Sequence, residues 1–210
     1  MKTFVLLSSA ALAVAPAATA GYTFTQSAAQ APTYASQLNF DAPGTPTGFV
    51  NKNAWQPGYG VSIYCGDNPN GAFVDNFNGV YPWLPNNNAV SGPWGVYVDF
   101  DQPVTNLSFQ AWSDAGPPTF FGGGLIVWIL DANDNIIDGD VFNPAWGGVG
   151  NTWFNISATG ASTFSRVLIA GNSFALSETI VDNLSWNTVP GPGAAALLAL
   201  GMAGSRRRRA

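Results

Sequence analysis

The chain has 210 residues, 47% hydrophobic and only 9% charged, with no histidine, one cysteine and a formal net charge of −5. Without histidine, Ser-His-Asp chemistry and the commonest zinc ligand are excluded, and a single cysteine excludes an intramolecular disulfide or a thiolate metal cluster. The acidic balance excludes nucleic acid as a partner, because its phosphates would be repelled.

In chain order, the first element is an export signal. Met1-Lys2 gives a positive start, residues 4–15 are apolar apart from Ser8 and Ser9, and Ala18-Thr19-Ala20 is a small-x-small cleavage site before Gly21. Residues 1–20 therefore read as a secretory signal peptide, with Ala18 and Ala20 flanking the cut. Residues 21–189 then form one extracellular domain. They hold two basic residues, Lys52 and Arg166, against twelve acidic ones, a net charge of −10. Eleven of the twelve acids are Asp, and short carboxylates suit turns and cation shells better than helices.

The domain is rich in Gly, Asn, Pro and aromatic residues and shows no helical periodicity of useful length. Short runs with period-2 alternation recur between Gly/Asn/Pro/Asp clusters. Nine strands are predicted, at 37–40, 60–64, 94–100, 107–111, 125–130, 136–142, 153–156, 164–170 and 179–186, with a break at Gln102-Pro103. The run from 125 to 130 is apolar throughout, as expected of a strand covered on both faces. The fold class is all-β, an antiparallel β-sandwich of jelly-roll type.

Candidate chemistry falls at five places. Trp55, Trp83 and Trp146 lie in loops beside Asn and Pro, where indole rings can stack on sugars; the alternative is that each plugs an end of the sandwich. Trp94, Trp112, Trp128, Trp153 and Trp186 fall on or beside strands and are assigned to the core. Asp131, Asn133 and Asn135 imitate the opening of a calcium loop, but Ile136 stands where that loop needs Gly, so a hairpin turn is expected. Asp99 with Asp101, and Asp138 with Asp140, each place two carboxylates on one strand face; a glycan hydrolase could use such a pair, and a solvated face is the commoner outcome. Alternation places Asp182 on one face with Ile180, Leu184 and Trp186, where a carboxylate needs a partner. Asp41 through a shared calcium ion, Arg166 through an ion pair, and the sheet edge are the three candidates. Cys65 is expected to be a buried strand residue.

Three segments, Leu38-Asn39-Phe40-Asp41, the stretch from Val98 to Phe109, and Val181-Asp182-Asn183-Leu184-Ser185-Trp186, make the domain similar to lectin-like and carbohydrate-binding-module sandwiches. That resemblance implies a structural Ca2+ held by an acid near the first strand and one on the last, here Asp41 and Asp182.

The last element is a second address, at residues 190–210. Val189, Pro190 and Pro192 lead into an Ala/Leu run that is closed by Arg206, Arg207, Arg208 and Arg209. The apolar run is short for a durable span, and the arginines would stay on the cytoplasmic side. With the N-terminal signal, this tail resembles the PEP-CTERM class of bacterial exported proteins, with Gly191 where the class has Glu. The resemblance implies an exosortase-type membrane protease as partner, membrane contact through the tail, and delivery to the cell surface or medium. Two functions are carried forward. One is a non-enzymatic surface or matrix protein; the other is a carbohydrate-binding module with a polysaccharide ligand. A secreted glycan hydrolase is the weakest reading.

Overall fold

A computed structural model of the chain describes residues 21–29, 31–76, 87–113, 124–142, 152–171 and 178–189. The signal peptide with Ala18 and Ala20, and the tail with Pro190, Pro192 and Arg206 to Arg209, lie outside them. Twelve antiparallel strands and one helical turn make up the described residues: β1 (Gly21–Ser27), β2 (Ser36–Leu38), β3 (Gly48–Asn51), α1 (Gln56–Tyr59), β4 (Val61–Cys65), β5 (Gly71–Asn76), β6 (Asn88–Pro93), β7 (Val96–Ser113), β8 (Leu125–Leu130), β9 (Ile136–Phe142), β10 (Trp153–Thr159), β11 (Phe164–Gly171) and β12 (Glu178–Thr188).

The long strand β7 organises the sandwich. Its first part, residues 96–100, pairs with β4 on one side and β11 on the other. Its second part pairs with β12 and β10. One layer therefore runs β3-β5-β6-β12-β7-β10-β1, with β2 also beside β12, and the other runs β4-β7-β11-β8-β9. The alternation predicted from sequence points inward from both layers. Val61, Ile63, Val98, Val127 and Ile169 from one layer meet Val90, Leu107, Phe109, Phe154 and Trp186 from the other in a single buried core.

The nine predicted strands become twelve. The runs at 125–130 and 136–142 match β8 and β9 end for end, whereas the predicted break at Gln102-Pro103 is not there. Proline lacks an N–H and is normally excluded from a central ladder. Here Pro103 falls where β7 passes from one layer to the other, between its pairs at Asp99 and Val104, so no ladder bond is lost. Four further strands, β1, β3, β5 and β6, were not predicted.

Outside the core, Arg166 on β11 ties its own layer together. Its Nε and Nη2 donate to Asp99 Oδ1 and Oδ2 at 2.7 Å each, and its Nη1 donates to Asp134 Oδ1 at 2.6 Å. The fork fixes β11 to β7 and reaches the β8–β9 turn, where Asp134 holds a left-handed φ of 62°. Replacing Arg166 by Met is expected to destabilise the fold by about 1–3 kcal/mol, since a charge-assisted two-pronged bond is lost. Lysine should recover less than half of that, because it cannot reproduce the fork. Urea unfolding measures both.

Candidate functional site

Strand β12 changes partner part-way along. Val181 pairs with Val90 of β6, and Leu184 pairs with Leu38 of β2. Between them lie Asp182 and Asn183. On the other side, β12 steps three residues from Asp182 to Ser185 while β7 steps two, from Gln110 to Ser108, which is a β-bulge. Asn183 absorbs it with φ at 53°, a left-handed conformation that Asn tolerates better than most residues. The bulge corrects the predicted strand face. Val181, Leu184 and Trp186 share the core, and Asp182 points to the other side.

The seam gathers an acidic node. Asn87, just before β6, donates its Nδ2 to Asp41 Oδ2 at 2.5 Å and to Asp182 Oδ2 at 3.0 Å. Asn88 N donates to Asp41 Oδ1 at 2.7 Å, and Asn183 N to Asp182 Oδ1 at 2.7 Å. Asp182 is 0% exposed. Burial pushes its carboxyl up to about 7; the Asp41 charge adds to that, while the Asn183 and Asn87 donors oppose it. The structure thus places Asp41 and Asp182 beside one another. Arg166, the other partner considered for Asp182, is committed to Asp99 and Asp134. Two carboxylates and a carboxamide that can turn its oxygen inward are hard oxygen donors of the type calcium takes. Among the described residues, no group of three or more acidic, cysteine or histidine side chains gathers anywhere.

Next to the node, on the outer side of the same seam, is a shallow cavity of about 80 Å³. Its lining includes Gln37, Asn39, Asn183, Ser185, Leu184 and Trp153. Asn183 is held in place by three side-chain hydrogen bonds, one of them from its Nδ2 to Asp182 Oδ2 at 3.2 Å. Its Nδ2 also donates to Gln110 Oε1 at 2.6 Å and its Oδ1 accepts from Asn39 Nδ2 at 3.3 Å. The bulge that turns Asp182 away from the core to the node therefore also turns Asn183 toward the cavity.

The tryptophans sort differently from expectation. Trp55 is only 4% exposed and packs edge-on against Phe40 with ring centroids 5.5 Å apart, so it belongs to the core and has no face for a ligand. Trp83 and Trp146 lie outside the described residues. Trp112 and Trp186 are in the interior as expected, but Trp94 is 49% exposed and Trp153 is half-buried at the cavity. Trp153 was legible: Phe154 and Ile156 point into the core, which sends Trp153, Asn155 and Ser157 to the opposite face of β10.

Among the described residues, Asp138 and Asp140 each accept only from the backbone N–H that follows them, on the largely exposed strand β9; the other candidates take structural roles. Asp131 accepts from Asn133 N and Asn135 N through Oδ1 and from Asn135 Nδ2 through Oδ2, a side-chain-closed hairpin turn. The Asn135 side chain, more than any other group, holds the Asp131 carboxyl below its usual range. Of the strand pair Asp99 and Asp101, the first is bound to Arg166 and the second accepts from Gln56 Nε2 at 3.1 Å. On the outer face of the second layer, Tyr64 and Tyr97 stand parallel with centroids 4.9 Å apart. Stacking covers one face of each ring, and Lys52 Nζ lies 5.8 Å from the centroid of Tyr64. Cys65 is buried, its Sγ donates to Gly71 O at 3.2 Å, and burial pushes its thiol up to about 12, so it is inert.

No family model matches the chain, and no curated protein matches it. Among solved structures, a mutant family 29 carbohydrate-binding module is similar over 78% of this chain and 84% of its own, at 16% identity and a TM-score of 0.33.

Proposed function

We propose that residues 21–189 form a non-catalytic carbohydrate-binding domain of an exported protein. The cavity at the β2–β12 seam supports this reading. It combines one aromatic ring, Trp153, with the carboxamides of Gln37, Asn39 and Asn183 and the hydroxyl of Ser185. A pyranose has an apolar face that stacks on indole and a rim of hydroxyls that exchange hydrogen bonds with amides, and such a mixed lining meets both needs. At about 80 Å³ the cavity is well below the ~300–1,000 Å³ of an enclosing small-molecule pocket, so it takes one ring or part of one from the side. The i, i+2 acid pair on β7 is occupied by Arg166 and Gln56, which favours binding over hydrolysis.

A calcium ion at Asp41 and Asp182 is the second part of the proposal. It would neutralise two adjacent carboxylates and hold the Asn183 segment that borders the cavity. The signal peptide and the arginine-ended tail support export and sorting by an exosortase-type protease, with the domain displayed at the surface or released. Binding of the purified protein to a glycan array, followed by calorimetry on the hits, tests the ligand class. Trp153→Ala is expected to weaken a bound sugar at least tenfold, about 1.4 kcal/mol, with an unchanged melting temperature. Equal affinity in the variant would remove the cavity from the proposal.

A further inference from the structure

The register of the strands lines up polar side chains on one outer face. Thr25, Asn155, Ser108, Ser185 and Gln37 form a row across β1, β10, β7, β12 and β2. A second row sets Ser27, Trp153, Gln110 and Asp182 side by side, and a third sets Thr23, Ser157, Asn106 and Asn187. Such a face is normally wet, with one layer packed and the other solvated. Here Ser108, Ser185 and Gln110 are 1%, 5% and 6% exposed. Residues 31–35, the part of the β1–β2 connection that leads into β2, lie across the first row.

The strap is bound mainly through its backbone. Ser108 Oγ donates to Pro32 O at 2.8 Å, Tyr34 N donates to Ser185 Oγ at 2.5 Å, and Ala35 N donates to Asn187 Oδ1 at 3.1 Å. The Tyr34 hydroxyl donates to Asn155 Oδ1 at 2.6 Å. Its sequence, Ala-Pro-Thr-Tyr-Ala, has little apolar surface to bury, and Pro32, Thr33 and Ala35 remain exposed. Segments held by a few hydrogen bonds and little apolar packing open at the low end of the stability range. Thr33 of the strap also lines the cavity, so the cavity is continuous with the ground the strap covers.

We infer that the strap occupies a groove for a linear, neutral polysaccharide, and that the cavity is the open end of that groove. This rests on the carbohydrate reading of the cavity. The strap's carbonyl, amide and Tyr34 hydroxyl groups stand where ligand hydroxyls would accept from Ser108 and donate to Ser185, Asn187 and Asn155. The polar row offers one such residue per strand, about 4.8 Å apart, which suits a chain of repeating hydroxyl-bearing units. The domain's net charge of −10 selects neutral chains over uronate or sulfated ones.

The test compares a panel of neutral gluco-, manno- and xylo-hexasaccharides with the matching disaccharides, on the wild-type protein and on Tyr34→Phe, which loses only the bond to Asn155. Amide hydrogen exchange at Tyr34 and Ala35 is followed in parallel. The hexasaccharide is expected to bind Tyr34→Phe at least fivefold more tightly than wild type, with disaccharide affinity unchanged. In wild type it should speed exchange of the two strap amides. Equal hexasaccharide affinity in both proteins, with strap amides unchanged, would overturn the groove and leave the cavity as a site for short sugars. Failure of every saccharide to bind either protein would overturn the groove and the carbohydrate reading together.

Discussion

Asp182→Asn is expected to raise the melting temperature at pH 8 in the presence of a chelator, and to abolish any rise that calcium gives the wild-type protein. The carboxyl is 0% exposed, and its burial, with Asp41 beside it, moves it up to about 7 in the folded state. In the unfolded chain it ionises near 3.8. Between about pH 4 and pH 7 the native state therefore binds the extra proton, so stability falls as pH rises through this window. Each unit of separation is worth about 1.4 kcal/mol, and a total of order 1–4 kcal/mol is lost by pH 8. A carboxamide at this position removes the charge and keeps an acceptor for Asn183 N, but its NH2 replaces the oxygen that accepts from Asn87 Nδ2 and Asn183 Nδ2, so the Asn87 amide has to turn its own oxygen toward it. Calcium inverts the balance, because the cation favours both ionised carboxylates. At a hundredfold excess over its dissociation constant it would stabilise the wild type by about 2.7 kcal/mol and the variant hardly at all. Melting curves at pH 5.5 and pH 8, each with chelator and with millimolar calcium, read all four corners. A variant less stable than wild type in chelator at pH 8 would mean that the node stabilises the fold with its charge intact. A wild type indifferent to calcium would remove the ion.

Much of this architecture was legible because period-2 alternation survives wherever one strand face is buried by the other layer. Strands β8 and β9 were readable to the residue. Sequence showed that Asp182 needs a partner and left Asp41, Arg166 and the sheet edge open; only the structure sets it beside Asp41. What the pattern hid has physical causes. Strand β6 reads Asn-Ala-Val-Ser-Gly-Pro, and Gly and Pro are breaker signals; it is nonetheless a strand, because Gly92 is where the core leaves no room for a side chain and Pro93 comes at its end. Strands β3 and β5 lie toward one edge of their layer and expose Phe49 and Phe73, whose rings pack edge to face at 5.8 Å, so apolar residues there mark both faces. The bulge at Asn183 was invisible because nothing in Val-Asp-Asn-Leu signals an extra residue; only pairing with β7 shows three steps against two. That one residue moves Asp182 off the core face and Asn183 to the cavity, so most of the candidate site depends on it. The strap was missed for a related reason. Its contacts, the Tyr34 hydroxyl apart, are made by backbone atoms, and side-chain patterns do not report those.

A single added methyl at Gly92 should cost as much as many core deletions, and its rescue should depend on one specific partner. Gly92 on β6 and Cys65 on β4 face each other from opposite layers of the sandwich. A Cβ at position 92 would lie 2.0 Å from Cys65 Cβ, 3.1 Å from its Sγ and 3.2 Å from its Cα. These are strand atoms, so the layers themselves must separate, and overpacking of this kind costs about 1–3 kcal/mol or more. Cys65→Ala alone should cost less than about 1.5 kcal/mol, since it removes only a buried sulfur and its bond to Gly71 O. In the Gly92→Ala background, Cys65→Ala should give no relief, because the clash is with Cβ, which alanine keeps. Cys65→Gly in that background should recover most of the loss, since it moves the methyl group from one layer to the other. Two sites in contact are expected to be non-additive by 0.5–3 kcal/mol, and the cycle built from Gly92→Ala and Cys65→Gly should fall in the upper half of that range. Urea midpoints at constant m-value measure it. A stable Gly92→Ala single variant would mean that the two layers stand further apart at β4 and β6 than the Gly92–Cys65 approach requires.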